Sequence, residues 1–429
     1  KIQSIKIPFL HFIVFYISLS VDYFYIVCYI RHSMVYKRRN YIQTIMDARK
    51  THRVIIVGGL PGTGKNRFLA SVIQEIRGEK PPVRIVHLQH DDTTGTRDIL
   101  QQARALGVGP SVMVIENGDG IDGLSESLNR ILSDYSATIL ISSRHEKALD
   151  TRLKPIFGTL LQTIRLPPLS YPEFLEACSI RDSMRSLELY AENGGLVHHA
   201  LLPPDSPDRF SLLRFRADSF LLTEVLERFT VRNPRAIREL LRFVARHTGE
   251  SLSSRQIQEA FSTRNITISP QAVLDYLGYC TDSGLLVPAP VYDLSRKKTL
   301  DSGMSWYFGD SGLRCAFTDR ERAGTFDRAL ANLVFLHLTD SGWTVRQGRV
   351  IRGNGNREDI SFVCDRDGER RYIQMAGSTA TAAEQLRKRT ALLSLRDGWP
   401  KYLIGAYGDE QPEDGIRQVS VRELLLGQF

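Results

Sequence analysis

Residues 54–57, Val-Ile-Ile-Val, are an unbroken apolar run, and the next eight read Gly58-Gly59-Leu60-Pro61-Gly62-Thr63-Gly64-Lys65. A stretch of helical character follows over 67–77. The segment from Gly59 to Lys65 fits the spacing G-x-x-x-x-G-K, and it lies between a strand and a helix, the context this motif requires. Glycines at these positions let consecutive backbone N–H groups turn inward as an anion nest. The following helix adds its positive N-terminal end, and a lysine at the last position can reach a phosphate. Gly59, Pro61, Gly62, Thr63, Gly64, Lys65 and Asn66 are therefore the expected nucleotide-binding residues. Asn66 stands where a Ser or Thr hydroxyl ordinarily ligates Mg²⁺. Its amide oxygen is a poorer and bulkier ligand, so the spacing predicts a weak Mg²⁺ site.

The chain has 429 residues, enough for two or three domains, and at 42% hydrophobic and 24% charged it can bury sizeable cores. The net charge of +8 does not describe the whole molecule. Residues 1–53 hold nine Lys or Arg against Asp22 and Asp47, so the remainder is close to neutral. A protein-wide field for nucleic acid does not follow. Cys28, Cys178, Cys280, Cys315 and Cys364 are scattered without a C-x-x-C, as expected of separate thiols in a reducing cytoplasm.

Residues 7–30 are almost wholly apolar and aromatic, and Arg31 and Lys37-Arg38-Arg39 follow. The length and flank suit a membrane anchor. Asp22 within the run, and a composition rich in Ile, Phe and Tyr with no glycine before Gly58, suit translated upstream sequence with Met34 as the start. A cleaved signal fits least, because no small-residue cleavage site follows. The expectation is a cytoplasmic protein whose residues 1–33 are an extension, with membrane anchoring by residues 7–30 as the alternative.

Further along, apolar runs at 83–88, 112–115, 138–142 and 163–166 alternate with helical patterns at 97–106, 123–134 and 146–152, with Thr96 as an N-cap. Such alternation predicts a parallel α/β sheet over 34–170, closed by Pro167-Pro168. Residues 171–229 read as helical, interrupted at Gly194-Gly195 and Pro203-Pro204-Asp205. Three helices and an extended pair follow over 236–298, which is a winged-helix pattern. Ser253-x-x-Gln256 is a capping box, and Ser269-Pro270 is an N-cap before a proline. Residues 301–429 read as a second α/β region, with strands near 344–348, 359–364, 372–375 and 402–405.

Hydrolysis by a P-loop protein needs a second acidic motif at a neighbouring strand end, one carboxylate to order Mg²⁺ and one to polarise water. In Ser111-Val112-Met113-Val114-Ile115-Glu116-Asn117-Gly118, Glu116 takes the first place and Asn117 the second. An amide cannot accept the water's proton. Asp119 and Asp122 are the nearest substitutes. Ser142, ending the next strand, is a candidate γ-phosphate sensor, or a polar strand end. Arg144 and Arg152 are candidate trans-acting fingers, and Arg165 reads as a strand-edge charge.

With these residues in view, the chain from Met34 onward resembles the prokaryotic predicted ATPases of the AAA+ superfamily that carry a C-terminal domain of unknown function. Tyr36-Lys37-Arg38, the P-loop, Leu169-Ser170-Tyr171-Pro172-Glu173-Phe174, Gly194-Gly195, Tyr307-Phe308-Gly309-Asp310-Ser311-Gly312-Leu313-Arg314, Asn332-Leu333-Val334-Phe335 and Tyr372-Ile373-Gln374-Met375-Ala376 follow in the family's order. The resemblance implies an AAA+-like P-loop domain over 34–170, a helical lid and winged helix over 171–300, and a restriction-endonuclease-like α/β domain over 301–429. It also implies ATP as the nucleotide.

Departures fall where chemistry would lie: Asn66, Glu116-Asn117, and Gly158-Thr159 where the family carries Gly-Arg. In the last region Ala331 precedes Asn332 in place of Glu, Ser361 follows Asp359-Ile360 in place of Asp, and Ala376 replaces Lys. Glu358, Asp359 and Gln374 are what remains for a nuclease, too few for metal-assisted cleavage. The third winged-helix helix, 270–282, carries Asp275 and Asp282 and no Lys or Arg, unlike a groove-reading helix. The basic turn Arg296-Lys297-Lys298 reads as solvated.

These readings combine into an ATP-binding protein with weak or absent hydrolysis, acting as a nucleotide-sensing module with an unidentified protein partner. An active slow ATPase and a DNA-associated factor working through the winged helix are the alternatives.

Overall fold

The structure is a computed structural model, and it describes residues 37–89, 95–202, 209–318, 325–351, 357–377, 381–406 and 414–428. The apolar extension over 7–30, Cys28, Met34, Tyr36 and the break at Pro203-Pro204-Asp205 lie outside the described residues. Among the described residues no helix is long and apolar enough to cross a membrane.

A helix, α1 (Arg39–Ala48), leads into β1 (Val54–Gly58), the glycine-rich loop and α2 (Lys65–Arg77). Strands β2 (Arg84–Gln89), β3 (Ser111–Glu116), β4 (Ala137–Ser142) and β5 (Leu161–Arg165) alternate with α3 (Thr96–Ala103), α4 (Leu124–Asp134) and α5 (Glu146–Phe157). The five strands form one sheet in the order β2-β3-β4-β1-β5, every pair parallel. Val54 and Ile56 face a core with α3, α4 and α5, while Ile55 and Val57 face one with α1 and α2. Burial on both faces explains why β1 reads as a continuous apolar run and not as an alternation. The order also gathers the C-terminal ends of β1, β3 and β4 at one edge of the sheet, above which the loop sits.

The local signals are mostly where expected, with small shifts. Thr96 is not the N-cap of α3. Gly95 holds that place, its N–H bonded to Asp98 Oδ2 at 2.9 Å, and the Thr96 hydroxyl donates to the Asp122 carbonyl. The helix expected to stop at 152 runs to Phe157 with Pro155 in its last turn.

Helices α6 (Tyr171–Cys178), α7 (Met184–Asn193), α8 (Val197–Ala200) and α9 (Arg209–Phe220) follow, and α9 continues as a π-helical segment, Leu221–Glu227. Next come α10 (Pro234–Arg246), β6 (Ser251–Leu252), α11 (Ser254–Ser262) and α12 (Pro270–Asp282), then the antiparallel pair β7 (Leu286–Asp293) and β8 (Lys298–Phe308). Ser253 and Ser269 cap α11 and α12 as the sequence indicates.

The remaining elements are α13 (Ser311–Ala316), α14 (Thr325–Asp340), β9 (Thr344–Ile351), β10 (Arg357–Arg366), β11 (Glu369–Met375), α15 (Ala382–Leu393), β12 (Lys401–Gly405), β13 (Ile416–Ser420) and α16 (Val421–Leu425). The expected extended pair is not free. It belongs to an eight-stranded sheet in the order β13-β12-β11-β10-β9-β7-β8-β6, with Val291, Tyr292 and Asp293 of β7 parallel to Gln347, Gly348 and Arg349 of β9. A boundary at 300 therefore falls inside β8.

Candidate nucleotide site

The loop is built by glycine at the positions that only glycine tolerates. Gly59 has φ of 140°, and a Cβ there would lie 2.3 Å from the Leu166 carbonyl oxygen. Gly64, φ 83°, is the N-cap of α2 and turns the chain into the helix. Thr63 is buried, and its hydroxyl donates to the Leu60 carbonyl at 3.0 Å. Pro61 and Gly62 are half-buried beside it.

Lys65, the first residue of α2, is 6% exposed. Its amine donates to the carbonyls of Gly59 at 2.7 Å and Leu60 at 3.0 Å. Burial lowers its pKa to about 8, against the opposing pull of Glu146, Asp119 and Glu224. A desolvated ammonium satisfied only by neutral carbonyls has more to gain from an anion than an exposed lysine would.

Three residues singled out from the sequence meet here. Ser142 Oγ donates to Asn66 Oδ1 at 3.2 Å and accepts the Asn117 N–H at 2.9 Å. Ser142 is fully buried, and Asn117 adopts the left-handed conformation that asparagine tolerates. Glu116 is 7% exposed, and its Oε1 is 2.9 Å from His87 Nε2 on the adjacent strand.

Asp119 accepts from the Ser143 hydroxyl and from the N–H groups of Arg144 (2.8 Å) and His145 (3.2 Å), so its carboxylate caps the β4–α5 loop. Asp122 contributes only its carbonyl, to Thr96. Arg144 reaches Glu224 at 3.5 Å, Arg152 is exposed, and Arg165 stands 3.9 Å from Glu146.

Several residues of this site gave no sequence signal. Glu146, at the start of α5, accepts the Gly59 N–H at 3.2 Å. Glu224, in the π-helical segment, is 4% exposed and faces His145 Nε2 at 3.4 Å, while Arg228 donates to His145 Nδ1 at 3.0 Å. Burial and Arg228 lower the pKa of His145.

On the far side of β5, Arg38 makes a two-point pair with Glu173 at 2.9 and 2.7 Å and donates to the Pro167 carbonyl at 2.6 Å. This joins two of the motifs noted above across 135 positions. The pair borders a cavity of about 570 Å³ lined by Lys37, Tyr41, Glu173, Tyr190, Asp310 and Asp340. That volume lies within the range of small-molecule pockets.

In the eight-stranded sheet, Asp359 pairs with Arg349 at 3.1 Å, and Gln374 Oε1 accepts the Ser361 N–H at 2.9 Å. Among the described residues no group of three or more His, Cys, Asp or Glu is placed to hold a metal ion. On α12, the side chains of Gln271 and Asp275 bond to one another at 2.9 Å.

Strand order, glycine-rich loop and buried lysine define a five-stranded parallel α/β domain with a P-loop at the C-terminal ends of its strands. Residues 184–323 match a family described as a Domain of unknown function (DUF8612). The chain is 22% identical over 403 residues to an uncharacterized protein of Haemophilus influenzae, covering 91% of this chain and 98% of that one. It is 24% identical over 246 residues to an uncharacterized protein of Methanocaldococcus jannaschii, 54% of each. Among solved structures, a Walker-type ATPase of Pyrococcus abyssi is 11% identical with a TM-score of 0.46, over 66% of this chain and 95% of that one. The Orc1 protein of Aeropyrum pernix, in complex with DNA, is 14% identical with a TM-score of 0.29, over 65% and 90%.

Proposed function

We propose that this protein binds ATP on the 59–66 loop, hydrolyses it weakly or not at all, and works as a nucleotide-sensing module for a protein partner. The observation that carries the reading is the hydrogen-bonded row Asn66–Ser142–Asn117. It bonds the Asn66 amide to the Ser142 hydroxyl and that hydroxyl to the Asn117 backbone N–H, at the places where a metal-binding hydroxyl, a phosphate sensor and a water-activating carboxylate are needed.

The loop fits phosphates: a buried ammonium, glycine backbone and a helix N-terminus converge. The residues present fit Mg²⁺ poorly. Asn66 Oδ1 already accepts from Ser142, and Glu116 is engaged by His87.

The three helices and hairpin support a winged helix, and the order α14-β9-β10-β11-α15-β12 supports a nuclease-like unit without its carboxylates. DNA contact is the weaker reading, since α12 carries no Lys or Arg and the end of β7, Val291 to Asp293, is paired with β9 as well as β8. The described cysteines are free thiols, which suits a cytoplasmic location.

Calorimetry of the chain with ATP and ADP, with and without Mg²⁺, alongside a turnover assay, tests the reading. Micromolar binding that is little changed by Mg²⁺, with turnover at background, is the expected outcome. Brisk turnover abolished by Glu116→Ala would establish the active ATPase instead.

A further inference from the structure

Two contacts leave the glycine-rich loop by different routes and meet at one point of the chain. The first is a side chain. Leu60, 4% exposed, belongs to the core of α10, α11 and α12 and not to a core of the five-stranded sheet. It is seated between Gly284, before β7, and Gly309, after β8. A Cβ at these glycines would lie 2.7 and 3.0 Å from the Leu60 methyl carbons.

The second route is backbone. The Val197 N–H, at the start of α8, donates to the Gly62 carbonyl at 2.9 Å. The turn before it is held from behind by Asp310. One carboxylate oxygen accepts the N–H groups of Gly195 (2.7 Å) and Leu196 (3.2 Å), and the other accepts the Leu313 N–H (3.1 Å). Asp310 is 1% exposed and caps α13. Neighbouring residues 309 and 310 thus receive the loop from two directions.

Beyond this point the connection continues into the second sheet. Asn332 of α14, fully buried, accepts the Phe308 N–H at 2.7 Å and donates to the Phe308 carbonyl at 3.1 Å. A buried carboxylate and a buried amide spent wholly on backbone groups make stiff joints, because breaking any bond strands a polar group in a low dielectric.

Phosphate arrival disturbs both routes at their origin. Lys65 would leave the carbonyls of Gly59 and Leu60 to meet the anion, which removes one of the bonds on the backbone of the residue whose side chain is wedged at Gly309 and leaves the Thr63 hydroxyl on the Leu60 carbonyl. The Thr63 N–H now donates to the Leu60 carbonyl at 3.3 Å, and turning it toward an anion would reorient the peptide it shares with the Gly62 carbonyl.

We propose that Gly309-Asp310 is the relay through which occupancy of the P-loop sets the packing of the eight-stranded sheet, with Asp310 as the positioning residue. The proposal rests on the nucleotide reading above. It gives the sensing module its output: the state of the loop is read at β8, α13 and α14.

Hydrogen–deuterium exchange on the full chain, with and without ATP, tests this, with ATP binding measured directly on the same samples. In the wild type, ATP should slow exchange over 194–200 and over 305–316 together, by about 5- to 150-fold, the usual span of coupling between sites. Asp310→Asn keeps the shape but turns an acceptor into a donor facing N–H groups.

Val197→Pro is the milder variant. Proline is tolerated at a first helical position, and Leu196, with ψ of 124°, already has the conformation a following proline requires. That change deletes the N–H bonded to Gly62 and exchanges the isopropyl group beside Gly64 for a ring of similar size. Both variants should bind ATP while residues 305–316 no longer respond.

Wild-type binding with the response confined to 194–200 would overturn the relay. So would an undiminished response in both variants. Failure of the wild type to bind ATP at all would overturn the nucleotide reading and the relay together, and is told apart by the direct binding measurement.

Discussion

Raising the pH should weaken ATP binding through Lys65 alone. In the free protein, burial holds this lysine at a pKa of about 8. Phosphate oxygens beside the amine favour the charged form and return it to its ordinary value near 10.4 or above. The sign follows from proton count: above pH 8 the free site has lost a proton that the occupied site keeps, so binding takes one up and affinity falls as pH rises. The amine is roughly 10% neutral at pH 7 and roughly 90% neutral at pH 9, so Kd should rise about tenfold, or about 1.4 kcal/mol. Phosphate groups are already ionised over this interval. Calorimetry at pH 8 in buffers of different ionisation enthalpy should show uptake of about half a proton per ATP bound. Lys65→Arg, charged throughout, should bind with a flat pH profile. A wild-type affinity that is constant from pH 7 to pH 9, with no proton uptake, would refute the reasoning.

Lys65→Ala should lose roughly 1.5–3 kcal/mol of ATP affinity, the value of a charge-assisted hydrogen bond, read by the same calorimetry. The triple change Asn66→Thr, Glu116→Asp, Asn117→Glu should raise turnover, since loss of a general base typically costs about 10²–10⁴-fold. Single changes should do little, which a phosphate-release assay decides. Arg38→Ala should destabilise the fold by up to about 3–5 kcal/mol, because it strands a largely buried carboxylate on Glu173; urea unfolding measures it, and Arg38→Lys should recover only part.

The parallel sheet and the loop were legible because their signals are local. β1 is apolar throughout because both its faces are covered, and the glycines stand where positive φ is needed. The meeting of Asn66, Ser142 and Asn117 was foreseeable in kind, since motifs at the ends of neighbouring parallel strands converge. What stayed hidden depends on distant pairing. Nothing near Glu224 marks it as facing the loop, because it is brought there by the packing of a later helix. Arg38 and Glu173 were each noted within a motif, yet their ion pair lies across 135 positions. The N-cap of α3 moved by one residue because Asp98 can bond the Gly95 N–H and so sets the helix start. The extended pair after α12 was recognised. Its place inside a sheet was not, because the pairing of β7 with β9 leaves no trace in either strand alone.

That pairing has a consequence for biosynthesis. β7 emerges from the ribosome well before β9, and at about 5–20 residues per second the gap lasts on the order of seconds. During it, one side of β7 is an open strand edge, a template for wrong partners. Pro288 and Pro290 sit in the half of β7 that β9 does not cover, opposite Trp306 and Met304 of β8. Neither can offer an N–H to an intruding strand. The nascent hairpin is thus guarded where no later strand will shield it. Val291, Tyr292 and Asp293, beyond the prolines, are left open to be claimed by β9 when it arrives.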